Sequence, residues 1–81
     1  MEWIKIKVNI SSVDNLLFIQ NRLNNHDSNI IEILSLDSST IPYLDLFIDR
    51  CKEFNGNVQM NKQLLIKLNI LEHFKDRVQI L

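Results

Sequence analysis

The sequence contains only one cysteine, one glycine and one proline among its 81 residues. A single cysteine excludes a disulfide within the chain and a metal site built from several thiolates. Basic residues are not in excess either, because nine Lys and Arg stand against ten Asp and Glu, a net charge of −1. Binding to DNA or RNA requires cations that neutralise phosphates, so nucleic acid is not expected as the main partner.

Long hydrophobic runs are also missing. The longest contain four residues, such as 16–19, whereas a membrane-spanning helix needs roughly 20. The sequence does not open with the charged, apolar and small segments of a secretory leader. We therefore expect a cytoplasmic chain that does not insert into membranes.

Apolar residues are nevertheless plentiful. Hydrophobic residues make up 46% of the chain, which excludes an intrinsically disordered protein. The length is enough for one domain, residues 1–81, although a domain of this size has a thin margin of stability.

Apolar residues in the first half of the chain repeat with two different periods, one typical of a strand and one typical of a helix. Residues 3–10 alternate strictly between apolar and polar, which predicts a strand with one buried face, and Lys5 and Lys7 on the other face suit an edge strand. Ser12 can cap a helix of about three turns. The residues that follow at helical spacing, and so define its predicted inward face, are Val13, Leu16, Leu17, Gln20 and Leu23. The polar stretch 24–29 ends that helix.

Residues 30–36 are nearly all apolar, as expected of a central strand covered on both faces. From Ile41 a stripe at helical spacing predicts a second helix that extends to Phe54. Pro42 suits its first turn, and Gly56 suits a left-handed position just after its end.

The remaining residues complete an alternating pattern. Residues 58–60 predict a short strand, residues 64–74 a third helix capped by Asn61, and residues 77–81 a last strand. The order β-α-β-α-β-α-β predicts a single α/β domain with a mostly parallel four-stranded sheet and helices packed on it.

The junction between the second strand and the second helix is the candidate site. Asp37, Ser38, Ser39 and Thr40 place three hydroxyls and one carboxylate at a helix start, where free N–H groups and the helix dipole favour an anion. Asp, Ser and Thr are also the preferred capping residues. The spacing alone is compatible with a simple cap and with a binding site.

Asp37-Ser38-Ser39 after an apolar strand resembles the signature of the STAS domain, the family of bacterial anti-sigma factor antagonists. The resemblance covers roughly residues 29–81, with the helix 41–54, the turn 55–57 and the helix 64–74 in matching order. Two features depart from the family pattern. Thr40 stands where the family has glycine, and one strand rather than two precedes the first helix.

The resemblance implies a binding module without catalysis. In the family, the second hydroxyl residue of the motif accepts a phosphate from a partner kinase, and that position is Ser39. Asp37 would lie beside the partner's nucleotide-binding surface, and Ser38 would help to hold the helix start. A phosphoserine adds a charge of roughly −1.5 to −2, which a helix N-terminus tolerates and which would repel an acidic partner surface.

The expected partner surface combines this loop with the second helix. It consists of Asp37, Ser38, Thr40, Tyr43 and Leu46, since Tyr and exposed apolar residues often anchor interfaces. Trp3 is an aromatic of the same kind. The partner would be a kinase-like anti-sigma factor, and the phosphorylation of Ser39 would regulate its binding.

Two other functions remain open. The chain could be a constitutive accessory subunit, like the STAS-like components of bacterial lipid-transport ATPase complexes, or a small immunity or antitoxin-type inhibitor. Homo-oligomers are also compatible with the sequence.

Catalysis and cofactors are not expected. Ser39 lacks the base, the orienting acid and the flanking glycines of a nucleophilic serine. Cys51 lies on the inward stripe of the second helix, as an inert thiol does. His26 and His73 are far apart in the sequence, so no metal site is predicted.

Overall fold

Four parallel strands form one sheet in the computed structural model of the protein, which describes residues 4–23, 29–54 and 56–81. The strands are β1 (Ile4–Ile10), β2 (Asn29–Leu36), β3 (Gly56–Met60) and β4 (Gln79–Ile80), and they lie side by side in that order. Each strand pairs in parallel with the next. The predicted α/β fold is therefore confirmed, with β1 at the predicted edge position.

Helices connect the strands. They are α1 (Val13–Asn21), α2 (Ile41–Glu53), α3 (Lys62–Lys67) and α4 (Leu71–Phe74), and a 3₁₀ turn (Ser38–Thr40) precedes α2. The predicted caps are present, because Ser12 accepts a hydrogen bond from the N–H of Asn15 and Asn61 accepts one from the N–H of Gln63. A membrane-spanning helix needs about 20 apolar residues, and none of the helices in the described residues meets that requirement.

One face of the sheet packs on the helices and forms a single core. In-register apolar pairs build this face, with Val8 beside Ile33 and Ile33 beside Met60. The helices contribute the buried side chains of Leu16, Leu44, Phe47, Ile48, Cys51, Leu65 and Phe74. The core thus lies between the sheet and the helix layer.

The other face of the sheet is largely polar, which corrects the expectation that β2 is covered on both sides. Its polar residues are Lys5, Lys7, Asn9, Glu32, Ser35, Asn57, Gln59 and Gln79. Within β2, Leu34 is 46% exposed and Ser35 is exposed. A bulge explains the apolar run, because Val8 pairs with Ile33 while Asn9 pairs with Ser35, so that Leu34 is an extra residue without a partner in the register.

The third predicted helix is two short helices. After α3, Asn69 has a φ of 57°, the N–H of Asn69 donates to Ile66 O, and the N–H of Ile70 donates to Leu65 O. These two bonds form a Schellman motif, in which the residue after the helix adopts the left-handed conformation. Asn69 therefore ends α3, and the chain starts again as α4.

Replacing Asn69 with alanine is expected to lower the free energy of unfolding by about 1 kcal/mol, because a Cβ-bearing residue without a polar side chain is disfavoured at positive φ. Asn69→Gly is the matched control and should leave the stability unchanged or slightly higher. Urea unfolding followed by circular dichroism measures both. An equal loss in the two variants would contradict the left-handed conformation.

Gly56 has a different role from the one expected. It is the first residue of β3, and its φ is not positive. A Cβ at this position would lie 2.6 Å from the carbonyl oxygen of Cys51. Gly56 is needed because the end of α2 and the start of β3 approach each other closely, not because of a left-handed turn.

Parts of the sequence-based prediction lie outside the described residues. These are Trp3, His26, most of the polar stretch after α1, and Asn55 of the turn after α2.

Candidate functional site

The loop between β2 and α2 is organised by the Asp37 carboxylate. Its Oδ2 accepts a hydrogen bond from the N–H of Ser39 at 3.0 Å and a second from the Ser39 hydroxyl. The N–H of Asp37 donates to Ile10 O at 2.9 Å, which ties the loop to the end of β1. Asp37 is thus the cap of the 3₁₀ turn, while the side chains of Asp37, Ser38 and Ser39 remain exposed.

The same hydrogen bonds keep Asp37 ionised. The Ser39 hydroxyl and then the Ser39 N–H lower the pKa of Asp37 below its ordinary value of 3.8, since both bonds stabilise the charged form. At neutral pH the loop therefore presents a carboxylate to solvent. Both hydrogen bonds from Ser39 go to Oδ2 of this carboxylate.

Thr40 is fully buried, which removes it from the predicted partner surface. Its hydroxyl donates to Asp37 O at 2.6 Å, and its N–H donates to the same oxygen at 3.0 Å. The backbone of Thr40 has φ −88° and ψ −12°, a region open to any residue. This loop therefore needs no glycine at position 40, and the threonine side chain is part of its internal bonding.

Helix α2 presents two large side chains to solvent at its N-terminal end. Tyr43 is 48% exposed and Leu46 is 63% exposed. Pro42 lies in the first turn, as predicted, and Leu44 and Phe47 are fully buried. The structure thus brings the exposed residues 37–39 and the side chains of Tyr43 and Leu46 to one end of α2, on the surface.

Helix α1 adds a second exposed apolar pair. It packs against α2 and the 3₁₀ turn. Leu17, predicted to face inward, and Phe18 are both largely exposed, and the guanidinium of Arg22 lies 5.6 Å from the centre of the Phe18 ring. The helix layer therefore carries more exposed apolar surface than the sequence pattern indicates.

An ion-pair network that the sequence pattern does not predict lies on the side of α2 that faces the segment around α4. Arg77 donates to the carboxylates of Asp45 and Asp49, and His73 Nε2 lies 2.8 Å from Asp45 Oδ2. These partners are 28 or 32 residues apart, so no local pattern could have revealed the network. It joins α2 to the segment around α4.

Other candidate groups do not form a site in the described parts of the chain. Cys51 is buried, and burial raises the pKa of its thiol to about 12, as expected of an inert thiol. Within residues 4–23, 29–54 and 56–81, no three His, Cys, Asp or Glu side chains are close enough to hold a metal ion.

Comparison with known proteins gives no assignment. No protein-family model, curated protein or solved structure matches this chain.

Proposed function

We propose that the protein is a non-catalytic binding module that docks on another protein through residues 37–39 and the exposed face of α2. We call this surface, formed by Asp37, Ser38, Ser39, Tyr43 and Leu46, the docking surface. The exposure of Tyr43 and Leu46 on the helix that follows an exposed, charged loop is the observation that carries the proposal. Tyr is enriched among the residues that supply most of the binding energy of an interface, and contiguous exposed apolar surface often marks an interaction site.

Regulation by phosphorylation of Ser39 is part of this proposal, as the resemblance to anti-sigma factor antagonists implies. Ser39 is exposed and therefore accessible to a kinase. A phosphate on its hydroxyl would remove the hydrogen bond to Asp37 and place a charge of roughly −2 beside that carboxylate. Binding would then be weakened by charge, while the fold is retained. A kinase-like partner that uses ATP implies a cytoplasmic location.

One observation favours a second candidate function. The Ser39 hydroxyl already donates to Asp37 and serves the cap of the 3₁₀ turn. A serine with this structural role is also compatible with a constitutive accessory subunit of an ATPase complex, in which no phosphate is transferred.

The docking surface is tested by replacing both Tyr43 and Leu46 with lysine. We expect partner binding to be lost and the circular dichroism spectrum to be unchanged, because both side chains lie largely outside the core. The measurement is quantitative mass spectrometry of proteins that co-purify with the tagged chain from its own host. Ile66→Lys is the matched control, since Ile66 is similarly exposed on α3. Co-purification that is unchanged in the double variant, or lost equally in the control, would contradict the proposal.

The phosphorylation switch is tested by comparing Ser39→Asp with Ser39→Ala. Ser39→Asp is expected to weaken binding to the recovered partner at least tenfold, because it adds a carboxylate beside Asp37. Ser39→Ala should bind within about twofold of the natural chain, since it adds no charge beside Asp37. Equal affinities of the two variants, and no phosphate on Ser39 in the host, would leave the constitutive subunit as the better assignment.

A further inference from the structure

We propose that the partner lays the apolar face of one amphipathic helix into a shallow channel between α1 and α2. We call it the α1–α2 channel, and its walls are Leu17, Phe18, Tyr43 and Leu46. The inference rests on the proposed function, because it extends the docking surface to α1 and names the element of the partner that fits there. Since Tyr43 and Leu46 belong to both, the occupant is that partner and not a second copy of this chain.

The two helices lie side by side and run in the same direction. Each connects neighbouring parallel strands, β1 to β2 for α1 and β2 to β3 for α2, and both pack on the same face of the sheet. They are in direct contact. Axes of packed helices lie about 8–10 Å apart, so a third helix can rest between them and touch both. Such a helix binds through apolar residues at every third or fourth position.

The ion-pair network shows which flank of α2 faces α1. Asp45 follows the buried Leu44 by one residue and pairs with Arg77, so this flank faces the segment around α4. Tyr43 precedes Leu44 by one residue and lies about 100° around the helix in the opposite sense. Because α1 connects β1 to β2 and α4 precedes β4 at the far end of the sheet, Tyr43 is on the flank that faces α1.

Helix α1 presents a matching pair of side chains. It runs in the same direction as α2, so the residue that follows its buried Leu16 is on the flank facing α2, and this residue is Leu17. Leu17 and Tyr43, the fifth and third residues of their helices, therefore border the channel from its two sides. Phe18 and Leu46 are each the sixth residue of their helix and point away from the sheet.

The channel has the size that a specific interface requires. Its four side chains are 47–63% exposed, which gives on the order of 400 Å² of apolar surface. Non-polar atoms make up about 56–65% of an interface, so this centre corresponds to roughly 700 Å² on each partner, close to the ~800 Å² of a standard complex. Tyr43 and Leu46 alone would supply about half of that area, which is small for a specific complex.

The chemistry of the channel agrees with the proposed switch at Ser39. Its four walls are uncharged, and the carboxylates of Asp45 and Asp49 pair with Arg77 on the side of α2 that faces α4. The occupant is therefore recognised by the burial of apolar surface rather than by charge of either sign. A phosphate on Ser39, in the turn directly before α2, would disrupt an apolar interface through the cost of removing its charge from water.

The test first identifies what contacts each side of the channel in the host. A photoreactive phenylalanine is placed at position 18, at position 46, or at position 66 of α3 as the matched control, because Ile66 is 50% exposed, and crosslinks are mapped by mass spectrometry. We expect positions 18 and 46 to crosslink to the same protein, at sites within about seven residues of each other in one helix. Position 66 should not crosslink to it.

The protein identified from position 46 is then purified and titrated with variants of this chain. Leu17→Ala with Phe18→Ala is expected to weaken binding at least tenfold, with an unchanged circular dichroism spectrum because both side chains lie largely outside the core. Ile66→Ala, the control, should bind within about twofold of the natural chain.

The outcomes separate this inference from the proposed function. Binding that requires Tyr43 and Leu46 but tolerates the loss of Leu17 and Phe18 would overturn the channel and leave the proposed function standing. Crosslinks from position 18 only to other molecules, or from the two positions to distant segments of the partner, would do the same. The absence of any protein crosslinked from position 46, or crosslinks from it only to a second copy of this chain, would overturn both.

Discussion

Replacing Phe47 with alanine is expected to lower the free energy of unfolding by about 3–5 kcal/mol. Phe47 is fully buried in the core, one residue after the exposed Leu46. Its removal leaves a cavity between α2 and the sheet, which the close-packed surroundings cannot fill. A domain of this length has a total stability of only about 4–12 kcal/mol, so the variant should be partly unfolded at moderate temperature.

Leu46→Ala provides the control for this prediction. It removes a similar apolar group from the same helix, but from the solvent side, and should change the stability by no more than about 0.5 kcal/mol. Urea unfolding of both variants measures the contrast. Similar losses in the two variants would show that Leu46 belongs to the core, and would contradict both the packing of α2 and the docking surface.

The sequence predicts best those elements in which apolar residues repeat with a single, uninterrupted period. The alternation of β1 and the inward stripe of α2 are of this kind, because each element buries one face against the same core. Pro42 fixes the start of α2, and the local preference of the loop for Asp, Ser and Thr gives its capping role. In these segments the local preferences of the residues and the burial of their apolar side chains favour the same structure.

The differences between the sequence-based prediction and the structure arise where one residue is compatible with more than one environment. The apolar run in β2 predicts burial on both faces, whereas the bulge leaves Leu34 exposed on the polar face. Asn69 can continue or end a helix, and only the contact geometry after α3 selects the left-handed conformation. Hydrophobic period alone cannot separate these alternatives.

The candidate site was predicted in part. The exposure of Tyr43 and Leu46 follows from helical spacing, because both lie opposite the inward stripe of α2. The burial of Thr40 depends on a bond to the carbonyl of Asp37, which residue type alone does not reveal. Arg77 comes from a segment near the end of the sequence, and its pairing with Asp45 is set by the tertiary fold.

Replacing Gly56 with alanine is expected to lower the free energy of unfolding by about 2 kcal/mol, because the new Cβ would lie 2.6 Å from the carbonyl oxygen of Cys51. The backbone of Gly56 is not left-handed, so the conformational effect of alanine in a strand is neutral or favourable and the loss is steric.

The proposed clash is with backbone, and this gives the prediction a decisive control. Cys51→Ala should not restore the stability of the Gly56→Ala chain, since the carbonyl oxygen of residue 51 remains in place. The four chains with and without each substitution form a double-mutant cycle, measured by urea unfolding, and the coupling between the two positions should be small. Recovery of stability in the double variant would assign the strain to the Cys51 Sγ, the only atom that the substitution removes, because alanine keeps the Cβ that lies 3.2 Å from the added atom. A Gly56→Ala chain as stable as the natural one would show that β3 can shift away from α2, and that their close approach does not determine the residue at this position.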